Sequence, residues 1–224
     1  MTLQELNSEL LSCRLCPRLV EWRERVAREK RRAYREWEYW GKPVPGFGDQ
    51  HACVFVVGLA PGAHGSNRTG RQFTGDASGN FLFPALFRAG FASQPNSISR
   101  DDGLILPNLY TAPVCRCVPP HNKPTPQELV NCQTYLEREF ELIAPKVIVA
   151  LGRVAFDGIL RVFSIKDHSI SFAHHAVYQI HPGSWLVCSY HPSRQNTQTG
   201  RLTVEMFDQV WKTVRGILNG QVHS

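Results

Sequence analysis

The run Gly58-Leu59-Ala60-Pro61-Gly62-Ala63-His64-Gly-Ser-Asn-Arg-Thr-Gly70, which follows the apolar stretch Val54-Phe-Val-Val57, constrains this chain more than any other feature. Four consecutive apolar residues read as a strand buried on both faces. The glycines and proline after it read as a loop whose backbone amides lie open to a closely approaching ligand. The loop continues as Arg71-Gln-Phe73-Thr-Gly-Asp76-Ala-Ser-Gly-Asn80. A second pairing of this kind comes late, where Trp185-Leu-Val-Cys-Ser-Tyr190 leads into His191-Pro-Ser193-Arg194-Gln195-Asn196. Both loops then lie at the carboxyl ends of strands, the edge at which open α/β sheets bind ligands.

The remaining pattern supports that sheet. Thr2 and Glu5 are spaced as a capping box, which predicts a short helix running into Cys13. The first strand is expected over 53–58, and a helix from Ser78 or Gly79 is expected to bury Phe81, Leu82, Leu86 and Phe87. Residues 104–114 read as a second strand region. Thr125-Pro126-Gln127-Glu128 combines an N-cap, a proline at the first helical position and a glutamate at the third, so a helix should run to about Ile143. A strand at 146–151, a helix at 152–160, a hairpin-like region at 171–180, a strand at 185–190 and a helix near 202–218 complete the reading. Strands alternating with helices predict a mostly parallel sheet covered on both faces, and 224 residues suit one domain spanning 1–224.

Composition narrows the class. No stretch reaches the ~18 apolar residues of a membrane span, and Met1-Thr-Leu-Gln-Glu lacks the pattern of a secretory signal, so a cytosolic protein with no membrane partner is expected. The net charge is +6, which suits a polyanionic partner and equally suits a solvated basic face. Arg18 to Arg35 hold eight basic side chains against three acidic ones, with Trp22, Tyr34, Trp37, Tyr39 and Trp40 in or just beyond that run. Such a segment either follows phosphates or is an amphipathic cover over the sheet or over neighbouring cysteines.

Seven cysteines without a secretion signal point to metal or redox use rather than to disulfides. Cys53 and Cys188 lie within apolar runs and read as core residues. Cys13 and Cys16 form a C-x2-C pair whose partners lie about a hundred residues on, with Cys115 and Cys117 competing as third ligand and Cys132 as fourth. That separation is wrong for a small zinc module. Thiolates gathered from distant segments suit a [4Fe–4S] cluster better, with tetrahedral zinc as the other reading. No flavin or nicotinamide fingerprint accompanies them, so the group reads as a structural clamp.

Taken together, Cys13-x2-Cys16, Gly58-Leu-Ala-Pro-Gly62, Arg71-Gln-Phe73-Thr-Gly-Asp76, Cys117-Val-Pro-Pro-His-Asn122-Lys-Pro and His191-Pro-Ser resemble the iron–sulfur uracil-DNA glycosylases, more narrowly the family 5 or type b branch. The likeness runs in consistent order from about residue 5 to 215. It implies a three-layer α/β/α sandwich with a short, mostly parallel central sheet, a [4Fe–4S] cluster, and hydrolysis of the bond between uracil and deoxyribose. By position the implied cluster ligands are Cys13, Cys16, Cys117 and Cys132, and Cys115 has no counterpart.

The implied chemistry assigns roles. An enzyme acting on a base in a duplex must extrude it, at a cost of a few kcal/mol, and recover that energy in a pocket. Phe73 is expected to stack on the base, with the backbone of Gly58 to Ala63 against the pyrimidine edge and Asn80 nearby. His191 is the expected donor toward the uracil O2 as negative charge develops, and His181-Pro182-Gly183 is a decoy of similar local chemistry. Ser193, Arg194, Gln195 and Asn196 are expected to meet the DNA, with Arg194 or Gln195 filling the space the base leaves. Related families carry a carboxylate or asparagine directly after G-x-A-P-G, where this chain has Ala63. Asn122 and Asp76 are the expected replacements for handling water, and His64 is a further one. An incompletely positioned base implies a slower enzyme with a more tolerant pocket, acting on other deaminated bases too. The departure at Ala63 also sustains a second reading, a non-catalytic binder of damaged DNA on the same scaffold. A nuclease would need clustered carboxylates, which the motifs lack. A monomer is expected, since the motif-bearing loops share one face.

Overall fold

The computed structural model describes residues 1–221. In chain order the elements are α1 (Leu3–Leu11), α2 (Pro17–Glu29), β1 (Phe47–Gly48), β2 (Val54–Gly58), α3 (Ser66–Thr69), α4 (Ala77–Arg88), β3 (Leu109–Pro113) and α5 (Pro126–Ile143). There follow β4 (Val147–Leu151), α6 (Arg153–Val162), β5 (Val177–His181), β6 (Ser184–Ser189), α7 (Arg194–Gln198) and α8 (Val204–Leu218). The strands form a single sheet in the order β1-β3-β2-β4-β6-β5. Its four inner strands are parallel, and β1 and β5 are antiparallel edges.

The uninterrupted apolar runs are explained by burial of both sheet faces. Val54 and Val56 of β2, with Val147, Val149 and Leu151 of β4, pack with Leu82, Phe83 and Leu86 of α4 and Phe207, Val210 and Trp211 of α8. Phe55 and Val57, with Ile148 and Ala150, face the other way against Leu136 and Phe140 of α5 and Phe156 and Ile159 of α6. The result is the α/β/α sandwich. None of its described helices is long and apolar enough to cross a membrane.

The caps at Thr2 and Thr125 form as their spacing predicts, each with reciprocal hydrogen bonds to Glu5 or Glu128. Several boundaries move. The hairpin consists of β5 and β6 around Pro182-Gly183, and 171–176 lie outside any strand. Only Leu109–Pro113 of the 104–114 region pairs in the sheet. Helix α4 starts at Ala77, capped by Asp76, and buries Phe83, leaving Phe87 exposed. Cys188 is in the core as expected, while Cys53 precedes β2 and is only half-buried. The basic segment begins as α2, whose Leu19 packs on Cys115, Cys117 and Cys132, so this part is a cover over the cysteines.

One buried ion pair joins the sheet to this cysteine region. The Arg116 Nη1 donates to Glu139 Oε1 at 3.0 Å, its Nη2 meets Oε2, and the Tyr110 hydroxyl donates to the same Oε1 at 3.1 Å. Arg116 and Glu139 are each 1% exposed. Removing one partner strands the other charge, so Glu139→Ala is expected to lower the unfolding free energy by about 3–5 kcal/mol in denaturant titration. An effect below about 1 kcal/mol would show that the pair does not hold these elements together.

Candidate active site

The carboxyl ends of β2, β3 and β6 deliver the loops that surround one cleft of about 510 Å³, a size suited to a small ligand. Its walls include Leu59, Ala60 and Gly62 from the glycine-rich loop, Phe73, Asp76 and Ser78 from the segment entering α4, Asn122 from the loop after β3, and His191, Ser193, Arg194 and Gln195 from the loop after β6. Thus residues separated by more than a hundred positions meet, as the two strand-and-loop units predict.

Close packing accounts for the glycines. A Cβ at Gly58 would lie 2.7 Å from Cζ of Phe73, and one at Gly65 would lie 2.2 Å from Oδ2 of Asp76. At Gly152, which follows β4 with φ of +93°, a Cβ would crowd Cβ of His191 at 3.2 Å. Phe73 itself adopts φ of +54°, an uncommon conformation for a bulky residue, and is 4% exposed. Two guanidinium groups hold that turn. Arg71 donates to Thr74 Oγ1 at 2.9 Å and to Asp102 Oδ2 at 2.7 Å. Arg68 donates to the carbonyls of His64 and Gly75 at 2.7 and 3.1 Å while lying 4.0 Å from the rings of both Tyr34 and Trp37. The aromatic residues of the basic segment therefore clasp the glycine-rich loop from behind.

Phe73 and His191 stand with ring centroids 6.0 Å apart, forming two sides of the cleft. The His191 carbonyl accepts a hydrogen bond from Asn196 Nδ2 at 2.9 Å, and Ser193 caps α7 by accepting from Asn196 N. Asn196 is thus a brace for the loop, and it does not line the cleft. Gly58, Pro61, Ala63 and Asn80 also lie outside its wall, Gly58 acting through its contact with Phe73. His64 bonds through Nδ1 to the Tyr39 hydroxyl at 3.1 Å, away from the cleft, and His181 ends the edge strand β5. Asp76 accepts from Gly79 N at 3.0 Å as the α4 cap. Desolvation raises its pKa above the usual aspartate value, opposed by the Gly79 and Ser78 amides and by Arg68. Ser66, Gln72 and Ser78 line the cleft although nothing in their sequence setting singles them out.

The cysteines gather separately. Cys13, Cys16, Cys117 and Cys132 all line one small pocket between α1, α2 and α5. Cys115 lies outside its lining and donates its thiol proton to the Cys117 carbonyl. Arg23 Nη1 donates to Cys117 Sγ at 2.9 Å, Asn131 Nδ2 to Cys16 Sγ at 3.3 Å, and the Arg116 amide to Cys132 Sγ at 3.4 Å. Donors aimed at three sulfurs suit thiolate ligands. Among the described residues no three His, Cys, Asp or Glu side chains are drawn into a ready coordination shell.

Desolvation pushes the His191 imidazole down to about 4 from its ordinary 6.5, so the ring is neutral at physiological pH. An unfolded histidine takes up a proton below pH 6.5 while the folded one resists until about 4. Stability should therefore fall as pH drops from 6.5 to 4 and level off below, a trend that His191→Gln removes. An NMR titration is expected to place the His191 midpoint near 4; a midpoint near 6.5 would mean that the ring is solvated.

Residues 45–215 match the family model described as "Uracil DNA glycosylase superfamily". The chain is 54% identical over 202 residues to the type-5 uracil-DNA glycosylase of Thermus thermophilus, covering 90% of this chain and 91% of that protein. It is 47% identical over 218 residues to the type-5 uracil-DNA glycosylase of Mycobacterium leprae, covering 96% and 95%. Identity is 35% over 156 residues to the type-4 uracil-DNA glycosylase of Archaeoglobus fulgidus, covering 67% and 70%. With the cleft at the carboxyl edge of the parallel strands and matches of this length, the chain belongs to the uracil-DNA glycosylase superfamily, on its type-5 branch.

Proposed function

We propose that this protein is a DNA repair enzyme that extrudes uracil from DNA and hydrolyses its N-glycosidic bond, leaving an abasic site. The observation that carries this reading is the meeting of Phe73 and His191 across a cleft rimmed by Arg194 and Gln195. Phe73 offers a ring on which the flipped base stacks, a contact worth about 1–3 kcal/mol per base. His191 works as a neutral donor. Its N–H meets the uracil O2 as the base departs as an anion, and a desolvated, pre-positioned donor of this kind contributes about 10²–10³ in rate. Desolvation favours the neutral ring, whose N–H can be donated without placing a second charge in the cleft.

Water is handled by two further residues of the cleft wall, Asp76 and Asn122. Asp76 holds one carboxylate oxygen on the α4 cap and keeps the other against the glycine-rich loop, where its raised pKa makes it a stronger base. Asn122, on the 3-10 turn Pro120–Asn122, adopts a left-handed backbone and contributes an amide that positions water without removing its proton. Arg194 and Gln195 are exposed at the mouth, where they meet the backbone or occupy the vacated stack. The pocket lacks a carboxylate at Ala63, so the enzyme is slower and more tolerant, accepting further deaminated bases.

Cys13, Cys16, Cys117 and Cys132 are the residues that would hold a [4Fe–4S] cluster, with Arg23, Asn131 and the Arg116 amide donating to the sulfurs. When bound, the cluster supplies a covalent tie between the N-terminal helices and the rest of the domain, and no step of the hydrolysis passes through it.

Incubation with a uracil-containing duplex in EDTA should release free uracil and leave alkali-labile sites. His191→Ala is expected to cut the rate by about 10²–10³ with DNA binding retained. Asp76→Asn keeps the helix cap, since asparagine caps equally well, and should slow release at least tenfold with little change in Tm. Binding to uracil DNA without any base release would favour the non-catalytic reading. Protein purified without oxygen should carry about four irons and four sulfides per chain. Cys117→Ser should abolish the iron while Cys115→Ser retains it, and loss with both substitutions alike would refute the ligand assignment.

A further inference from the structure

Beside the stacking ring of Phe73 the cleft wall carries a polar side chain to which the reading above gives no task. Gln72 is 1% exposed, lines the cleft, and has a side-chain Oε1 that is buried without a hydrogen-bond partner. Its backbone is held in place. The backbone carbonyl accepts from Thr74 Oγ1 at 3.1 Å, and Thr74 belongs to the hydrogen-bonded set that includes Arg71 and Ser97. On the other side the Gln72 Nε2 sits over Gly58, 2.9 Å from where a Cβ would stand, so any larger residue at 58 would displace it. A buried amide oxygen without a partner costs free energy that a leucine or methionine of similar size would not. An unsatisfied buried group calls for an explanation, and beside a cleft a ligand is one that supplies it.

We propose that Gln72 is a specificity-determining residue whose side-chain amide hydrogen-bonds the N3–H and O4 edge of the extruded base. The proposal rests on the base-extrusion reading of the cleft. Oε1 accepts from the ring N–H, and Nε2 donates to the adjacent carbonyl. This N–H beside a C=O is the edge that deamination of cytosine creates, and a primary amide matches it with one acceptor and one donor. The division of labour follows from chemistry. Phe73 binds any base by its face, His191 serves the leaving O2, and Gln72 reads the opposite edge. A site built to hydrogen-bond a group discriminates against analogues that lack it more strongly than an apolar wall does, because the site's own polar atoms are then left unpaired.

The test pairs Gln72→Met and Gln72→Leu with two DNA duplexes, one carrying uracil and one carrying a 2-pyridone nucleotide, which keeps the N-glycosidic bond and O2 but has neither N3–H nor O4. Binding and base release are both measured for wild type and variants. Each variant is expected to melt no lower than wild type, since an unsatisfied buried atom is removed, which separates a recognition role from a structural one. Affinity and kcat/KM for uracil DNA should fall by about ten- to a hundredfold, with less than a twofold change on 2-pyridone DNA, so that the residue-by-base cycle isolates the contact. Equal losses on both duplexes, or none on uracil, overturn the proposal. Wild-type protein that binds uracil DNA without releasing base would defeat the catalytic reading alone, and the binding cycle would still decide Gln72.

Discussion

The buried pair of Arg116 and Glu139 is the contact that fastens the cysteine region to the sheet. Arg116 stands between Cys115 and Cys117, its carbonyl accepts from Val44 N at 2.7 Å, and its amide points at Cys132. Glu139 projects from α5 and Tyr110 from β3, so one charge pair links the sheet, a helix of the outer layer and the loop that bears two of the cysteines. A buried ion pair is a weak source of net stability because desolvation offsets attraction. Its value here is positional. A guanidinium takes carboxylate oxygens in a fixed fork, so the loop cannot slide along the helix without breaking two bonds at once.

Arginine does similar work at the other loop. Arg68 and Arg71 are both 3% exposed, and neither lines the cleft. They donate to loop carbonyls, a hydroxyl and Asp102, and hold Phe73 in a left-handed conformation that its bulk disfavours. The strain is local and the constraint surrounds it. The Phe73 ring and the His191 imidazole keep their separation only if each loop is braced, and Asn196 does for the His191 loop what the two arginines do for the other. A rigid cleft spares the binding energy that loop ordering would otherwise consume.

Much of this was legible in the chain. Continuous apolar runs announced doubly covered parallel strands, because a strand buried on both faces has no polar side to alternate with. Caps at Thr2 and Thr125 were readable because a capping box is a contact between residues three apart. The motifs at 58–76 and 191–195 marked the two sides of the cleft, since a ligand-approaching backbone needs glycine and a donor needs a titratable or amide side chain. The basic segment was harder. Its charges suited phosphate as well as packing, and only the stacking of Tyr34 and Trp37 on Arg68 shows where those aromatics are spent. The hairpin of β5 and β6 was misplaced because 171–176 form no regular strand: within that stretch only His175 and Ala176 bond to β6, through the backbone of Cys188, before β5 begins at Val177.

Apolar periodicity, capping and the glycine-rich loop were enough to set the doubly covered, mostly parallel sheet and the loops at its carboxyl edge, because these involve residues near one another in the chain. The four-cysteine set and the facing of Phe73 and His191 were expected only through the resemblance of the motifs to a known family. That Asn196 braces His191 from outside the cleft, that His64 is held by Tyr39, and that the amide of Gln72 is buried with an unpaired oxygen emerges in the folded chain alone. Hydrogen-bond satisfaction is a property of the completed packing. A glutamine between Arg71 and Phe73 reads the same whether it is solvated or sealed against a glycine fourteen residues away, and only the fold brings Gly58 beneath it.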